Sequence, residues 1–154
     1  MSRDRRLAIA IAVIAALGAL IAAYLTYVHY AGVKALCVSG SDGCEKVQTS
    51  TYSKLAGVPV AVLGLVGYLS ILATLRVRGE GGRFSGALIA LAGFGFSAYL
   101  TYREIFTIKA ICQWCVASAV LMTALAVLTT VRLLRSEAEP GVSGTFETRV
   151  RSKA

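Results

Sequence analysis

Four long stretches without a charge constrain this chain more than any other feature. Leu7–Val28 runs for 22 residues, Val58–Leu75 for 18, Phe84–Tyr102 for 19 and Ala110–Val131 for 22. A helix needs about 20 apolar residues to cross the hydrocarbon of a bilayer, with a range of about 17–25. The composition points the same way. Hydrophobic residues make up 56% of the chain and the mean hydropathy is +0.70, against about 45–50% apolar residues in an ordinary soluble domain. A chain of this size has too much surface to hide that excess from water. The expected fold is an all-α integral membrane protein, a four-transmembrane-helix bundle. The first run follows Arg3, Arg5 and Arg6, as a secretory signal would, but it exceeds the about 7–15-residue apolar core of a signal peptide. It is therefore expected to stay as an anchor.

The charges give the orientation. The net charge is +8 and the pI about 9.6, values that fit a nucleic-acid binder until their placement is considered. Eleven of the 16 Lys and Arg residues fall in the N-terminal segment, in the link around Arg76, Arg78 and Arg83, and from Arg132 onward. The other five are Lys34, Lys46, Lys54, Arg103 and Lys109, in the two alternate connections. Positive charge is retained in the cytoplasm. The expectation is a multi-pass protein of the cell membrane with both termini cytoplasmic, and the basic pI implies no nucleic-acid partner.

One phrase is written twice. Ala23–Cys37 reads AYLTYVHYAGVKALC and Ala98–Cys112 reads AYLTYREIFTIKAIC, with eight identities in fifteen ungapped positions. Two spans separate the copies, so both leave the membrane on the same, outer side. The pattern suggests a duplicated two-helix unit, although AYLTY also suits an interfacial helix end, where tyrosines collect. Both copies end on a cysteine. All four cysteines, Cys37, Cys44, Cys112 and Cys115, are thereby placed outside the cytoplasm.

The segments between runs differ in character. Ala31–Gly57 is the longest outer loop. Its CVSGSDGC stretch reads as turn-rich, and in the EKVQTSTYSKLAG that follows, Val47, Tyr52 and Leu55 lie near helical spacing, which predicts a short amphipathic helix against the membrane. Pro59 suits the first turn of the second spanning helix. The link Arg76–Arg83 is short and Gly-rich, and the outer link Arg103–Lys109 is shorter still. Residues 1–135 form the expected membrane domain. Residues 136–154 are polar and read as a disordered cytoplasmic tail.

The chemistry lies in the cysteines. Cys112-Gln-Trp-Cys115 is a C-x-x-C where the fourth helix begins. A helix N-terminus carries about half a positive charge, and thiolates rather than thiols attack disulfides. Lys109 either assists that thiolate or extends its ammonium to the interface. Cys37 and Cys44 form a second, wider pair. Three readings fit: two structural disulfides, one four-cysteine zinc site, for which a six-residue gap is wide, or a relay in which the loop pair exchanges with the inner pair through mixed disulfides. A relay at the membrane needs an electron acceptor, and the one most accessible there is a quinone dissolved in lipid. His29 is the only histidine, so histidine-based metal or haem chemistry has little support, and no metal is expected.

Cys37 and Cys44 in the first outer loop, Ser50 six residues on, the Gly57-Val58-Pro59 step and the C-x-x-C opening the fourth helix together resemble the vitamin K epoxide reductase family, particularly its bacterial homologues. The likeness covers about Leu7 to Leu134. It implies a four-helix bundle around a quinone near the outer face, and reoxidation of thioredoxin-like proteins that form disulfides in secreted chains. By position, Cys112 and Cys115 would be the active-site pair, with Cys115 facing the quinone. Cys44 would exchange with Cys112, and Cys37 would accept electrons from the partner. Ser50 would lie near the quinone and donate a hydrogen bond to a carbonyl oxygen, its alternative role being a local turn bond.

Two departures matter. Many bacterial relatives carry a fused thioredoxin-like domain, whereas here only a polar tail follows the last run, so a separate thioredoxin-like partner is implied. Vertebrate members have a tyrosine four positions after the second cysteine of C-x-x-C, where this chain has Ala119, which argues against epoxide reduction and the vertebrate inhibitor response. An unrelated four-helix quinone-linked family places its C-x-x-C in the first outer loop, the reverse of the order seen here. The expected function is a quinone-dependent, disulfide-generating thiol oxidoreductase that uses ubiquinone or menaquinone. The competing reading is a non-catalytic membrane scaffold with two structural disulfides.

Overall fold

A computed structural model describes residues 2–36, 43–55 and 57–137. Cys37, and residues 138–154 of the 136–154 segment read as tail, therefore lie outside the described residues. Five α-helices follow in order: α1 (Arg3–Ala31), α2 (Gly43–Thr49), α3 (Val60–Thr74), α4 (Glu80–Arg103) and α5 (Gln113–Glu137). A 3₁₀ turn at Thr51–Ser53 and a two-residue antiparallel pairing, Lys54–Leu55 with Val58–Pro59, lead into α3. A π-helical turn, Glu104–Ile108, extends α4.

Each of the four apolar runs forms a helix, and three are long and apolar enough to cross a membrane: Arg3–Ala31, Glu80–Ile108 and Gln113–Ser136. The fourth, α3, has 15 residues and reaches only about 22 Å at about 1.5 Å per residue. It is shorter than its 18-residue run because Val58 and Pro59 are spent on the strand pairing. Pro59, expected in the first helical turn, stands just ahead of it as the N-cap residue of α3. Arg83, read as part of the inner link, already belongs to the first turn of α4. At the other end α5 continues through Ser136 and Glu137, two residues into the segment read as tail.

The short helix between α1 and α3 differs from its expected form. It occupies Gly43–Thr49, so Tyr52 and Leu55 lie beyond it. Three hydroxyls turn the chain back on itself here. Thr49 Oγ1 donates to the Glu45 carbonyl at 2.8 Å, Ser50 Oγ to the Val47 carbonyl at 2.7 Å and Ser53 Oγ to the Ser50 carbonyl at 2.7 Å. Such short polar side chains compete with backbone hydrogen bonding and favour turns over helix continuation.

The long helices form a closed ring in which α1 packs on α3 and α5, and α4 packs on α3 and α5. Their outward faces carry large apolar side chains, among them Leu20, Val66, Leu88 and Val127, all exposed. A helix apolar all round is one that lipid surrounds. Inside, small residues let the backbones approach, as they do between membrane helices. Ala15, Ala22 and Ala90 are buried beside Ile11, Tyr68, Ile71, Met122 and Leu125. Gly18 is the tightest case. A Cβ there would fall 2.2 Å from Cε1 of Tyr68, whose ring is fully buried and whose hydroxyl donates to the Ser118 carbonyl at 2.8 Å.

One end of the ring is fastened by charge. Asp4 accepts from Arg132 Nε at 3.0 Å and pairs with Arg83 Nη2 at 3.5 Å. The starts of α1 and α4 and the end of α5 therefore meet at that end, and these are the segments richest in Lys and Arg. All the described cysteines lie at the opposite end.

Replacing Gly18 with alanine should drive the Tyr68 ring from its seat. Overpacking of a filled core costs about 1–3 kcal/mol, so the thermal midpoint in detergent should fall. Gly67→Ala, where a Cβ meets nothing within 4 Å, should leave it unchanged or raise it slightly. Equal midpoints for Gly18→Ala and the wild type would show that Tyr68 is not locked.

Candidate redox site

The head of α5 is built by its own sequence. Cys112 precedes the first helical residue, and its carbonyl accepts the Val116 N–H at 3.0 Å, closing the first turn. Cys115 follows three residues later, one turn along. Cys112 is fully buried, Cys115 is partly exposed, and both are free thiols. Cys44, on α2, is disulfide-bonded and buried. Cys44, Val47 and Cys112 form one small core, with Trp114 and Cys115 packed against it. The structure therefore brings the second loop cysteine onto the first cysteine of the C-x-x-C.

The residues inside the motif contribute directly. Trp114 Nε1 donates to the Leu36 carbonyl at 2.8 Å, while the Leu36 N–H donates to Tyr24 Oη at 3.0 Å. The Tyr24 and Trp114 rings lie 5.3 Å apart, tilted by 55°. Both backbone groups of the residue just before Cys37 are thus held, one by α1 and one by α5. Lys34 pairs with Glu45 of α2 at 3.0 Å, a second, exposed tie between the stem of this loop and its helix.

The thiol of Cys112 ionises below its ordinary range. The first cause is the hydrogen bond from the Cys115 thiol. Burial opposes it, and the backbone amides of Cys115 and Trp114, at the helix start, reinforce it. The helix N-terminus thus acts on the thiolate as the sequence position suggested. Lys109 takes a different place. It is exposed and adopts the left-handed conformation, φ 52°, that ends the π-helical turn.

Glu104 is the residue that sequence reasoning missed. It is 4% exposed, and its Oε2 accepts the Cys112 N–H at 3.5 Å. Glu104 and Cys115 also line one cavity. In the sequence Glu104 sits in a polar-looking link between Arg103 and Lys109. Only the π-helical turn, in which Ala110 N–H reaches back to the Glu104 carbonyl at 3.3 Å, rotates it inward. The available signal was an ionisable residue at the very edge of an apolar run, a position where such residues tend to be functional.

Below these groups the ring encloses a cavity of about 170 Å³. Cys115, Glu104, Ser50, Tyr68 and Ser118 are on its wall, and the remaining lining is largely apolar. Ser50 Oγ donates to the Val47 carbonyl in this state, so its local turn bond and its place on the cavity wall coexist. Tyr68 Oη and Ser118 Oγ lie 2.8 Å apart. A mostly apolar cleft with a few convergent hydroxyls and one thiol suits a flat, apolar ring bearing carbonyl acceptors, and a quinone has that chemistry.

The family model described as the vitamin K epoxide reductase family matches residues 9–130. The chain is also similar to a protein of Arabidopsis thaliana described as thiol-disulfide oxidoreductase LTO1, with 36% identity over 112 residues. That match covers 64% of this chain and 29% of the relative, so the chain spans less than a third of the relative's length.

A thiol that ionises low is deprotonated at a pH where an ordinary cysteine, at about 8.5, is still protonated. A pH titration of thiolate ultraviolet absorbance, with the Cys112 signal assigned by its loss in Cys112→Ala, should therefore show a midpoint below that value. Cys115→Ala removes the hydrogen bond that most stabilises the thiolate and should move the midpoint upward. An unmoved midpoint would assign the effect to the helix amides alone.

Proposed function

The chain belongs to the vitamin K epoxide reductase family, and from that premise we propose that it is a quinone-linked thiol oxidoreductase that generates disulfides. The carrying observation is the shared burial of Cys44 and Cys112 in one core, with Cys115 beside them on the wall of an apolar cavity. That arrangement puts the two cysteines in one small core on one side and leaves a place for a lipid-soluble acceptor on the other. The description of the Arabidopsis relative, a thiol-disulfide oxidoreductase, supports the same reaction class.

In the proposed cycle a reduced, separate thioredoxin-like partner attacks Cys37 of a Cys37–Cys44 disulfide. Its own two thiols become a disulfide and both loop thiols are left reduced. The Cys44 thiolate then attacks Cys112 of the Cys112–Cys115 disulfide and releases Cys115. Cys37 attacks Cys44, the loop disulfide re-forms and Cys112 leaves as a thiolate, a departure favoured by its low ionisation. The inner pair then gives two electrons and two protons to ubiquinone or menaquinone, and its disulfide closes. The acceptor supplies the redox chemistry; the chain supplies proximity, thiolate stabilisation and a dry cleft. Ser50 stands where a hydroxyl would meet one carbonyl oxygen, on rotating away from Val47.

The same proposal covers topology. All four long helices, including the 15-residue α3, cross the cell membrane. The end joined by Asp4, Arg83 and Arg132 faces the cytoplasm with both termini, and the cysteine end faces the oxidising side.

Mixing the purified protein with a reduced thioredoxin-like protein and a ubiquinone or menaquinone analogue should yield quinol, followed by absorbance. Cys112→Ala and Cys115→Ala should each reduce this to background, and turnover in either variant would remove the mechanism. Cys37→Ala should lose oxidation of the protein partner while dithiothreitol still feeds the inner pair. A wild-type protein that forms no quinol and whose cysteines resist mild reduction would be a scaffold.

A further inference from the structure

A carboxyl group buried beside two thiols needs an explanation. Glu104 is 4% exposed, and among the described residues no cation lies within 4.0 Å of it; the ion pairs there join Lys34 to Glu45, and Arg83 and Arg132 to Asp4. The adjacent Arg103 lines the same cavity, and its bonds from Nε to Tyr99 Oη at 3.1 Å and from Nη1 to Thr107 Oγ1 at 3.5 Å run to hydroxyls, not to the carboxyl. Burying a charge without a cation is costly, and the single long contact to the Cys112 N–H, 3.5 Å, offsets little of that cost. A residue needed only to cap this N–H could be a glutamine.

What distinguishes Glu104 is its position between reactive groups. The carboxyl holds the Cys112 N–H, and Glu104 and Cys115 line the same cavity. A proton leaving Cys115 therefore has an acceptor at hand, and that acceptor faces the space assigned to the electron acceptor. The thiol itself points into an apolar cleft where water is scarce. A general base is placed by such geometry before any question of its acidity arises.

We propose that Glu104 is the proton carrier of the inner cysteine pair: its carboxylate takes the Cys115 proton as the disulfide closes and delivers it to a quinone oxygen. This rests on the reading of the cavity as a quinone site. The step balances. The Cys112–Cys115 bond forms, and the two thiols give up two electrons and two protons. The Cys115 proton passes through Glu104 to one quinone oxygen. The Cys112 proton is lost to the outer aqueous phase, and one taken up from that phase reaches the other oxygen. The quinone is reduced to quinol and Glu104 returns to its carboxylate.

Two measurements on the full-length protein test this. The first uses no quinone. An infrared difference spectrum between the dithiothreitol-reduced and oxidised protein should contain a carboxylate stretching band, moved by loss of the neighbouring Cys115 proton, that is missing in Glu104→Gln. A wild-type spectrum without that band overturns the proposal. The second is single-turnover quinol formation by prereduced protein. General acid–base groups contribute about 100-fold or more, so Glu104→Gln, which keeps an acceptor for the Cys112 N–H, should be slower by about that factor. Formate should restore part of the rate in Glu104→Ala. A Glu104→Gln rate within about threefold of wild type overturns the proposal. So does a slow Glu104→Gln with an unchanged thermal midpoint whose alanine counterpart formate fails to rescue, since that outcome assigns a structural role. A wild type that makes no quinol at all sinks the quinone reading instead, and the infrared band then decides separately whether Glu104 exchanges a proton with the thiols.

Discussion

The seating of Tyr68 against Gly18 holds the rest in place. Its ring occupies the gap that a missing Cβ leaves on α1, and its hydroxyl is bonded to Ser118 on α5. One side chain from the short helix α3 thus fixes the spacing of α1, α3 and α5 at once. In lipid this matters more than in water. No hydrophobic force drives apolar helices together there, so close steric fit and interhelical hydrogen bonds must do so. The same ring forms part of the cavity wall on which Cys115 lies. The volume available to a ligand is therefore a consequence of how tightly the helices are held.

Above the cavity the connection between α1 and α3 is folded down onto the head of α5. Trp114 and Tyr24 grip the two backbone groups of Leu36, and Cys44 is packed onto Cys112. These contacts join segments about eighty residues apart in sequence, and they concentrate at the motif that carries the thiols. The dipeptide between the cysteines is therefore a structural element, with its tryptophan serving as the anchor of a neighbouring loop. The proposed relay requires one cysteine pair to meet the other repeatedly in the same register, and an anchored loop favours that.

The duplicated phrase shows how far local sequence goes. Both copies end a long helix, and both lead towards a cysteine. In the first copy the helix stops at Ala31, with Gly32 in the left-handed conformation. In the second it continues into a π-helical turn and stops at Lys109. Tyr24 of the first copy reaches across to Leu36 and Trp114, whereas its counterpart Tyr99 accepts a bond from Arg103, four residues on along the same chain segment. Identical residues thus perform different tasks because their neighbours in space differ.

By itself the sequence determined the class of protein, the helical runs and the C-x-x-C at a helix start. Each follows from a one-dimensional property: the length of an apolar stretch or a spacing along one helix. It overstated the second run by the residues that Val58 and Pro59 give to a strand pairing, and it drew the amphipathic helix too long because Thr49, Ser50 and Ser53 bond their own backbone. Only the tertiary structure decided that Cys44 meets Cys112, that Tyr68 rests on Gly18, and that Glu104 turns inward beside Cys115. Those are contacts between distant segments or products of one irregular helical turn, and no periodicity along the chain encodes them.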